Sequence, residues 1–559
     1  MCGTLSGLHM KSLGVNEPRW TNSLGWALPE GLSAGSHSRG SYHPFHFVVS
    51  LRPDMHEALD RHPGGISSSG DFAILDAFST YFHETLHWWQ HIGSTTGLLL
   101  SLSPPMQSHI NYDHLKFVLQ KMGPEKPLKR LTEEPPGRYA PDVETCLNRI
   151  VNNWHDLEYN RRILLNPMKL SDVLHSPYFE SQGHSILIAL ANLLLLLGAT
   201  FDSEFRCIPH PRFWEDATAD LRNRRVEGYC FGSTVRTTSI GALEIFEGQA
   251  RFCQLQYLYL TTNGTMSWEQ FRKNGMLGGV YIKAFETFLR LTGWKWPSTP
   301  VSSDVLLFLL ICDLAINPSD GYPFDIRYFE SLIESADPGI RFCWFCSQIA
   351  KHPNMRDAVE KCDRNGYVEV ADFLCRSIVC ETPVGIAQEL MRWVSQAPGF
   401  ANLLSQESTS NYSEDNLPLR LCFAKHLRFA EERIRRPEFF CWPAMYFAER
   451  KGADVNLQES LEMFNRHQPP FVAHPNGEIR PALVQGVSEQ NLYETFNNFY
   501  HWVLQYDLIS QWIVGDGPYD LDFTWMHPLY TSAFTKPWAD KAFKEHFGVS
   551  LDDFKVGPG

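Results

Sequence analysis

Apolar positions recur at spacings of three and four along most of this chain, and strict alternation is rare. The pattern predicts helices over 71–92, 184–198, 240–260, 280–292, 303–315, 385–396, 421–435 and 490–511. Runs that read as strands are few: Phe45–Leu51, Cys230–Thr237 and Tyr367–Val370. The expected fold class is therefore mainly α with a small β component. Two runs, Ser185–Thr200 and Val305–Ile316, are apolar enough to raise the question of a membrane. Both fall short of about 18 uninterrupted apolar residues and carry Asn192 and Asp313, so buried core helices and no membrane partner are expected. Turn-forming residues gather at Glu133–Asp142, Trp294–Ser303 and Arg466–Glu489, the last holding Pro475-Asn476-Gly477 as a hairpin or turn signal. A boundary in the second of these loops would divide the chain into a catalytic unit at 1–295 and a helical accessory or partner-binding region at 300–559.

The most informative stretch lies in the first predicted helix. From Asp71 to Ile92 there is no proline or glycine, and Gly93 stands where a helix C-cap would fall. Asp76, Thr80, His83, His87 and Gln90 form one polar stripe on a helix that is otherwise apolar and aromatic. Within it, His83-Glu84-Thr85-Leu86-His87 reads H-E-x-x-H. Residues four apart lie one turn above each other, so both imidazoles can reach one Zn²⁺ while Glu84 sits beside them as a base for an attacking water. His91 is two turns beyond His83, about 12 Å along the axis, too far to share that ion.

Catalytic zinc normally has three protein ligands. The candidates for the third lie on the 240–260 helix, where Glu244, Glu247, Arg251 and Gln254 again form one polar stripe. Thr237, Thr238 and Ser239 are possible N-caps for this helix. Arg251 could pair with whichever glutamate does not bind metal.

H-E-x-x-H followed, after a long gap, by helical Glu247-Gly248-Gln249-Ala250 resembles the gluzincin metallopeptidases. The string around Phe82, Gln90 and Ser94–Leu98 is also similar to uncharacterised bacterial proteins with this motif. The resemblance implies a zincin-like unit in which His83, His87 and Glu247 bind zinc and Glu84 is general base. It implies a peptide or protein substrate, with an edge strand beside the metal to hold its backbone; Phe45–Leu51 or Cys230–Thr237 could serve. An oxyanion-stabilising tyrosine or histidine is also implied, and Tyr229, Tyr257, His184 and Tyr281 are all candidates. The chain departs from the thermolysin-like pattern in its longer gap and in Arg251, where an aspartate is expected. Glu244 therefore stays open as the third ligand. The metzincin pattern is excluded by Gln90 and Gly93, which stand where it needs glycine and histidine.

Composition narrows the rest. Aromatic residues make up 13% of the 559, which argues for a large packed core and against disorder. A net charge of −14 offers no footprint for nucleic acid. The N-terminus, Met1-Cys2-Gly3 onward, lacks the pattern of an export signal, so a cytoplasmic location and mostly reduced thiols among the 13 cysteines are expected. Cys343-Trp-Phe-Cys346 then reads as buried free thiols. Lys361–Asp372 imitates a calcium loop, but Lys361 takes the place of its first aspartate, leaving a turn or a calcium-free helix-loop-helix. Two other functions stay open: a non-catalytic helical interaction module with a structural or vestigial metal, and a di-iron carboxylate protein. The second needs another E-x-x-H, for which Asp172-Val-Leu-His175 is the nearest substitute.

Overall fold

The computed structural model describes residues 39–60, 72–447, 455–474, 478–524, 526 and 530–557. The protein is mainly helical with a small sheet component. It forms two compact units: Met1–Tyr81 with Asn111–Val151 and Pro469–Gly559, and Phe82–Ile110 with Asn152–Gln468. The loop near residue 297 lies inside the second unit, which runs unbroken from Asn152 to Gln468.

The first unit contains a four-stranded sheet in the order β1 (Gly40–His43), β2 (Val48–Leu51), β4 (Phe471–Ala473), β5 (Ile479–Pro481). Its outer pairs are antiparallel and the central β2–β4 pair is parallel. Phe47 and Phe471 pack against Phe499 of the long Glu489–Val514 helix, which gives the sheet its buried face. A second, two-stranded sheet pairs β3 (Glu125–Lys126) with β6 (Lys555–Val556). The hairpin expected after residue 466 forms as β4–β5, and Pro475, Asn476 and Gly477 lie outside the described residues.

The second unit is built around deeply buried helices. Helix α1 (Phe72–Gly93) carries the H-E-x-x-H on its portion within this unit. Trp89 lies among Phe429, Phe439, Phe440 and Phe464, and its indole donates to the His467 carbonyl at 2.9 Å. Around it lie α2 (Ala242–Thr261), α3 (Val280–Thr292) and α4 (Ser303–Ala315). Every residue of α4 from Val305 to Ala315 is buried, as the apolar run predicts for a core helix. Asp313 on α4 is matched by Arg433 at 3.0 Å and by the Tyr367 hydroxyl at 2.9 Å, so its charge has partners. The Gln182–Phe201 helix is long and apolar enough to span a membrane, but 67% of its apolar window is buried inside the protein.

Three expectations about strands need correction. Tyr367–Val370 is helical, inside α6 (Arg364–Ser377), which follows α5 (Pro338–Lys351) along the chain. Asp363 caps α6 by accepting from the Gly366 amide at 2.9 Å, and Tyr367, Val370, Ala371 and Leu374 are buried at helical spacing. Cys230–Thr237 forms no strand, because a turn at Cys230–Ser233 breaks the run. Gln182 then bonds both the backbone N–H and the C=O of Arg236, as a neighbouring strand would. Of Phe45–Leu51 only Val48–Leu51 is strand, and it is flanked by β1 and β4. It is therefore not a free edge for a substrate strand.

Candidate metal centre

Helix α1 places His83 and His87 one turn apart, and α2 brings Glu247 against them. The His83 and His87 Nε2 atoms are 3.2 Å apart, and Glu247 Oε2 lies 3.5 Å from the first and 3.4 Å from the second. Around an ion with ligand bonds of 2.0–2.1 Å, a tetrahedron has edges of about 3.3 Å. The three atoms thus form one face of such a tetrahedron. Their side chains are only 6%, 12% and 7% exposed. Among the described residues, this is the group of histidine, cysteine and carboxylate side chains able to hold a metal ion.

The donor tautomer is set from behind. Gln90, one turn beyond His87, donates its amide N–H to the Phe246 carbonyl at 2.9 Å and to Gln249 Oε1 at 3.0 Å. That orientation turns Gln90 Oε1 towards His87 Nδ1 at 2.8 Å, where it must accept. The His87 Nδ1 therefore keeps its hydrogen, and Nε2 is the nitrogen that can bind metal once it gives up its own proton. A cavity of about 20 Å³, room for one water, is lined by Gln90, Gln249, Asp313 and Arg433. His83 Nδ1 is buried without a hydrogen bond.

Charge at the site is balanced by one proton. Burial holds His83 neutral, well below the usual imidazole range. Burial opposes a charge on His87 too, but the Glu247 carboxylate outweighs it and keeps that ring protonated above its usual range. Glu247 is likewise opposed by burial and held ionised by His87. A carboxylate, a neutral imidazole and an imidazole that must shed a proton make a donor set suited to a divalent cation of borderline softness.

Glu244 is occupied elsewhere. It accepts from the Gly241 amide at 2.8 Å, capping its own helix, and pairs with Lys283 at 2.7 Å. Glu247 rather than Glu244 therefore joins the histidines. Glu244, not Thr237, Thr238 or Ser239, also satisfies the start of α2. Arg251 pairs with neither glutamate: it donates to Gln254 Oε1 and lies over the Tyr281 ring at 4.0 Å.

Of the four oxyanion candidates, Tyr281 is the one beside the donors. Its ring meets His83 edge-on at 6.1 Å between centroids. Burial raises its hydroxyl pKa, and the charges of Glu247, Arg251 and Glu84 all act on it. Tyr229 donates to the Phe329 carbonyl, His184 pairs with Asp156, and Tyr257 packs by Phe82. Glu84 is buried, with its charge felt at both His87 and Tyr281. Gly248 eases the close packing of α2 here, since a Cβ there would meet Ala284 Cβ and Phe308 Cζ at 3.3 Å, a tight contact, with the Tyr281 carbonyl at 3.8 Å. His91 bonds Ser101 at 2.9 Å, and Asp172 and His175 do not join the group.

Sequence spacing had singled out the three donors and Glu84. The roles of Gln249, Lys283 and Tyr281 carried no signal of their own, because each depends on how α3 or a second polar side chain packs against α1 and α2. No family model, curated protein or solved structure matches the chain.

Proposed function

We propose that the chain is a zinc-dependent hydrolase of gluzincin type that cleaves peptide bonds. His83, His87 and Glu247 hold the ion in a zincin-like unit, and Glu84 is the general base. The observation that carries this reading is the triangle of donor atoms, whose sides match a tetrahedral zinc site and whose His87 is turned by Gln90. When bound, Zn²⁺ would supply a Lewis acid that polarises the scissile carbonyl and acidifies the attacking water. Glu84 takes that water's proton and returns it to the leaving amine. Tyr281 donates its hydroxyl hydrogen to the oxygen that gains charge, and Arg251 over its ring holds it in place.

Metal analysis of purified protein tests the site. About one zinc per chain is expected in wild type, with loss in His87→Ala and Glu247→Ala. Glu84→Gln should keep the metal and abolish turnover of a mixed peptide library. Wild type free of zinc, or with iron near two per chain, would overturn the reading. The depth of the donors favours one second reading, a metal that braces a non-catalytic helical module. That reading gains if Glu84→Gln leaves both metal content and every measured peptide turnover unchanged.

A further inference from the structure

Away from the metal centre, the C-terminal end of α6 holds two thiols and a buried cation. The helix stops in a Schellman turn: the Cys380 amide donates to the Cys375 carbonyl at 3.0 Å and the Val379 amide to the Arg376 carbonyl at 3.3 Å. Val379 sits at φ +55°, a left-handed conformation that β-branched residues rarely adopt. This turn brings the residue after the left-handed position against the one five before it. Here those two are Cys380 and Cys375, so the turn that joins their backbones sets two cysteine side chains side by side.

Arg341 on α5 reaches the same point and has no exposed surface. Its guanidinium donates to the carbonyls of Leu314, Ala315, Ser335 and Asn317 and to Cys380 Sγ at 3.8 Å. None of these partners is a carboxylate. A buried cation calls for an anion, and Cys380 is the partner that can become one by losing a proton. The neighbouring Cys375 and Arg341 together pull the Cys380 thiol below its usual range, against burial and the Asp320 charge, while Cys375 is pushed up. Both cysteines are among the residues that line a cavity of about 400 Å³, bounded also by Tyr367, Arg376, Glu381 and Gln388, which brings a small oxidant close to them. Cys380 is 9% exposed and Cys375 1%, so Cys380 is the thiol a peroxide reaches first.

We propose that Cys380 is a peroxide-reactive thiolate and Cys375 its resolving partner, together forming a reversible disulfide at the end of α6. The Cys380 sulfur attacks one oxygen of a hydroperoxide, the O–O bond breaks, and the departing alkoxide or hydroxide takes a proton to leave as alcohol or water. The Cys375 sulfur then attacks Cys380 Sγ, an S–S bond forms as the S–O bond breaks, and the hydroxide leaves with the Cys375 proton as water. Two thiols are oxidised by two electrons, and one peroxide is reduced. The more conspicuous pair, Cys343 and Cys346 on α5, lacks this setting, and burial pushes both of its thiols up.

The test uses the full-length, fully reduced protein and one equivalent of hydrogen peroxide, followed by peptide mass mapping. The expected product links Cys375 to Cys380 with loss of two hydrogens, reversed by a thiol reductant. Cys375→Ser should stop at a sulfenic acid on Cys380, trapped by a cyclic 1,3-dione, and Cys380→Ser should leave Cys375 unoxidised. In wild type, the rate of Cys380 alkylation by iodoacetamide should reach half its maximum below pH 7, against about 8.5 for an ordinary cysteine. Oxidation confined to other cysteines, no oxidation at all, or an ordinary alkylation profile at Cys380 would each overturn the proposal.

Discussion

Gln90 contacts no proposed substrate or metal, yet the donor character of His87 depends on it. Replacing it by alanine removes the acceptor that keeps hydrogen on His87 Nδ1. Zinc affinity in Gln90→Ala should fall roughly 10–100-fold by chelator competition, the usual cost of losing such a partner. Unchanged affinity would show that the ring is oriented by packing alone. Protons compete at the same atoms. In the metal-free protein the raised value of His87 stabilises the fold fully below about pH 6.5, and this contribution is lost as pH rises through the raised value. The depressed value of Glu247 stabilises above about pH 4.3 and is lost as pH falls. Zinc binding runs the other way for His87, because the ion displaces its proton. Apparent zinc affinity should therefore rise by about tenfold per pH unit until the raised value of His87 is passed, and a flat profile would remove the His87–Glu247 pair from the account. At this scale the donors were readable from spacing because a shared helix face needs only one periodicity. Tyr281 was not, since its place depends on a contact between two helices.

Between elements, the approach of α3 to α2 is governed by Gly248. A Cβ at this position is already tight at 3.3 Å from Ala284 and Phe308, and two further methyl groups would force the helices apart. Gly248→Val should lower stability by about 1–3 kcal/mol in denaturant melts. It should also cut turnover, where measurable, more than zinc content, since it displaces Tyr281 and not the donors. Equal loss of both would mean that α2 itself had moved. The helices were legible because their apolar stripes are long and uninterrupted. The strands were not: short apolar runs read alike as helix or strand, and capping by Asp363 decided Tyr367–Val370 while a turn at Ser233 decided Cys230–Thr237. Gly93 shows the same lesson for glycine. It was expected as a C-cap, but it ends α1 without a left-handed φ, and its Cβ would fall 2.4 Å from the Phe429 ring.

At the scale of the molecule, the second unit is held by buried charge as well as aromatic packing. Asp313, Arg433 and Tyr367 join three separate segments at a point with almost no exposure. Arg433→Met should destabilise by roughly 3–5 kcal/mol because it strands the Asp313 carboxylate, and adding Asp313→Asn should recover much of the loss. A double variant no better than the single would place the effect in packing. The division of the chain into units was not readable from composition, because the second unit recruits Phe82–Ile110 across an intervening segment of the first.

The bond from Trp89 to the His467 carbonyl spans 378 residues of sequence. Chains grow from the N-terminus at about 5–20 residues per second, so the helix that carries His83 and His87 leaves the ribosome well before its wrapping partners exist. For that interval Phe82 and Trp89 lack the aromatic residues that enclose them, and for its first part His83 and His87 also lack Glu247. Under the proposed reading the metal centre can close once residue 247 has emerged, but α1 still lacks its aromatic wrapping until residue 467 follows, so between those two points the apolar helix is a segment for a chaperone to shield.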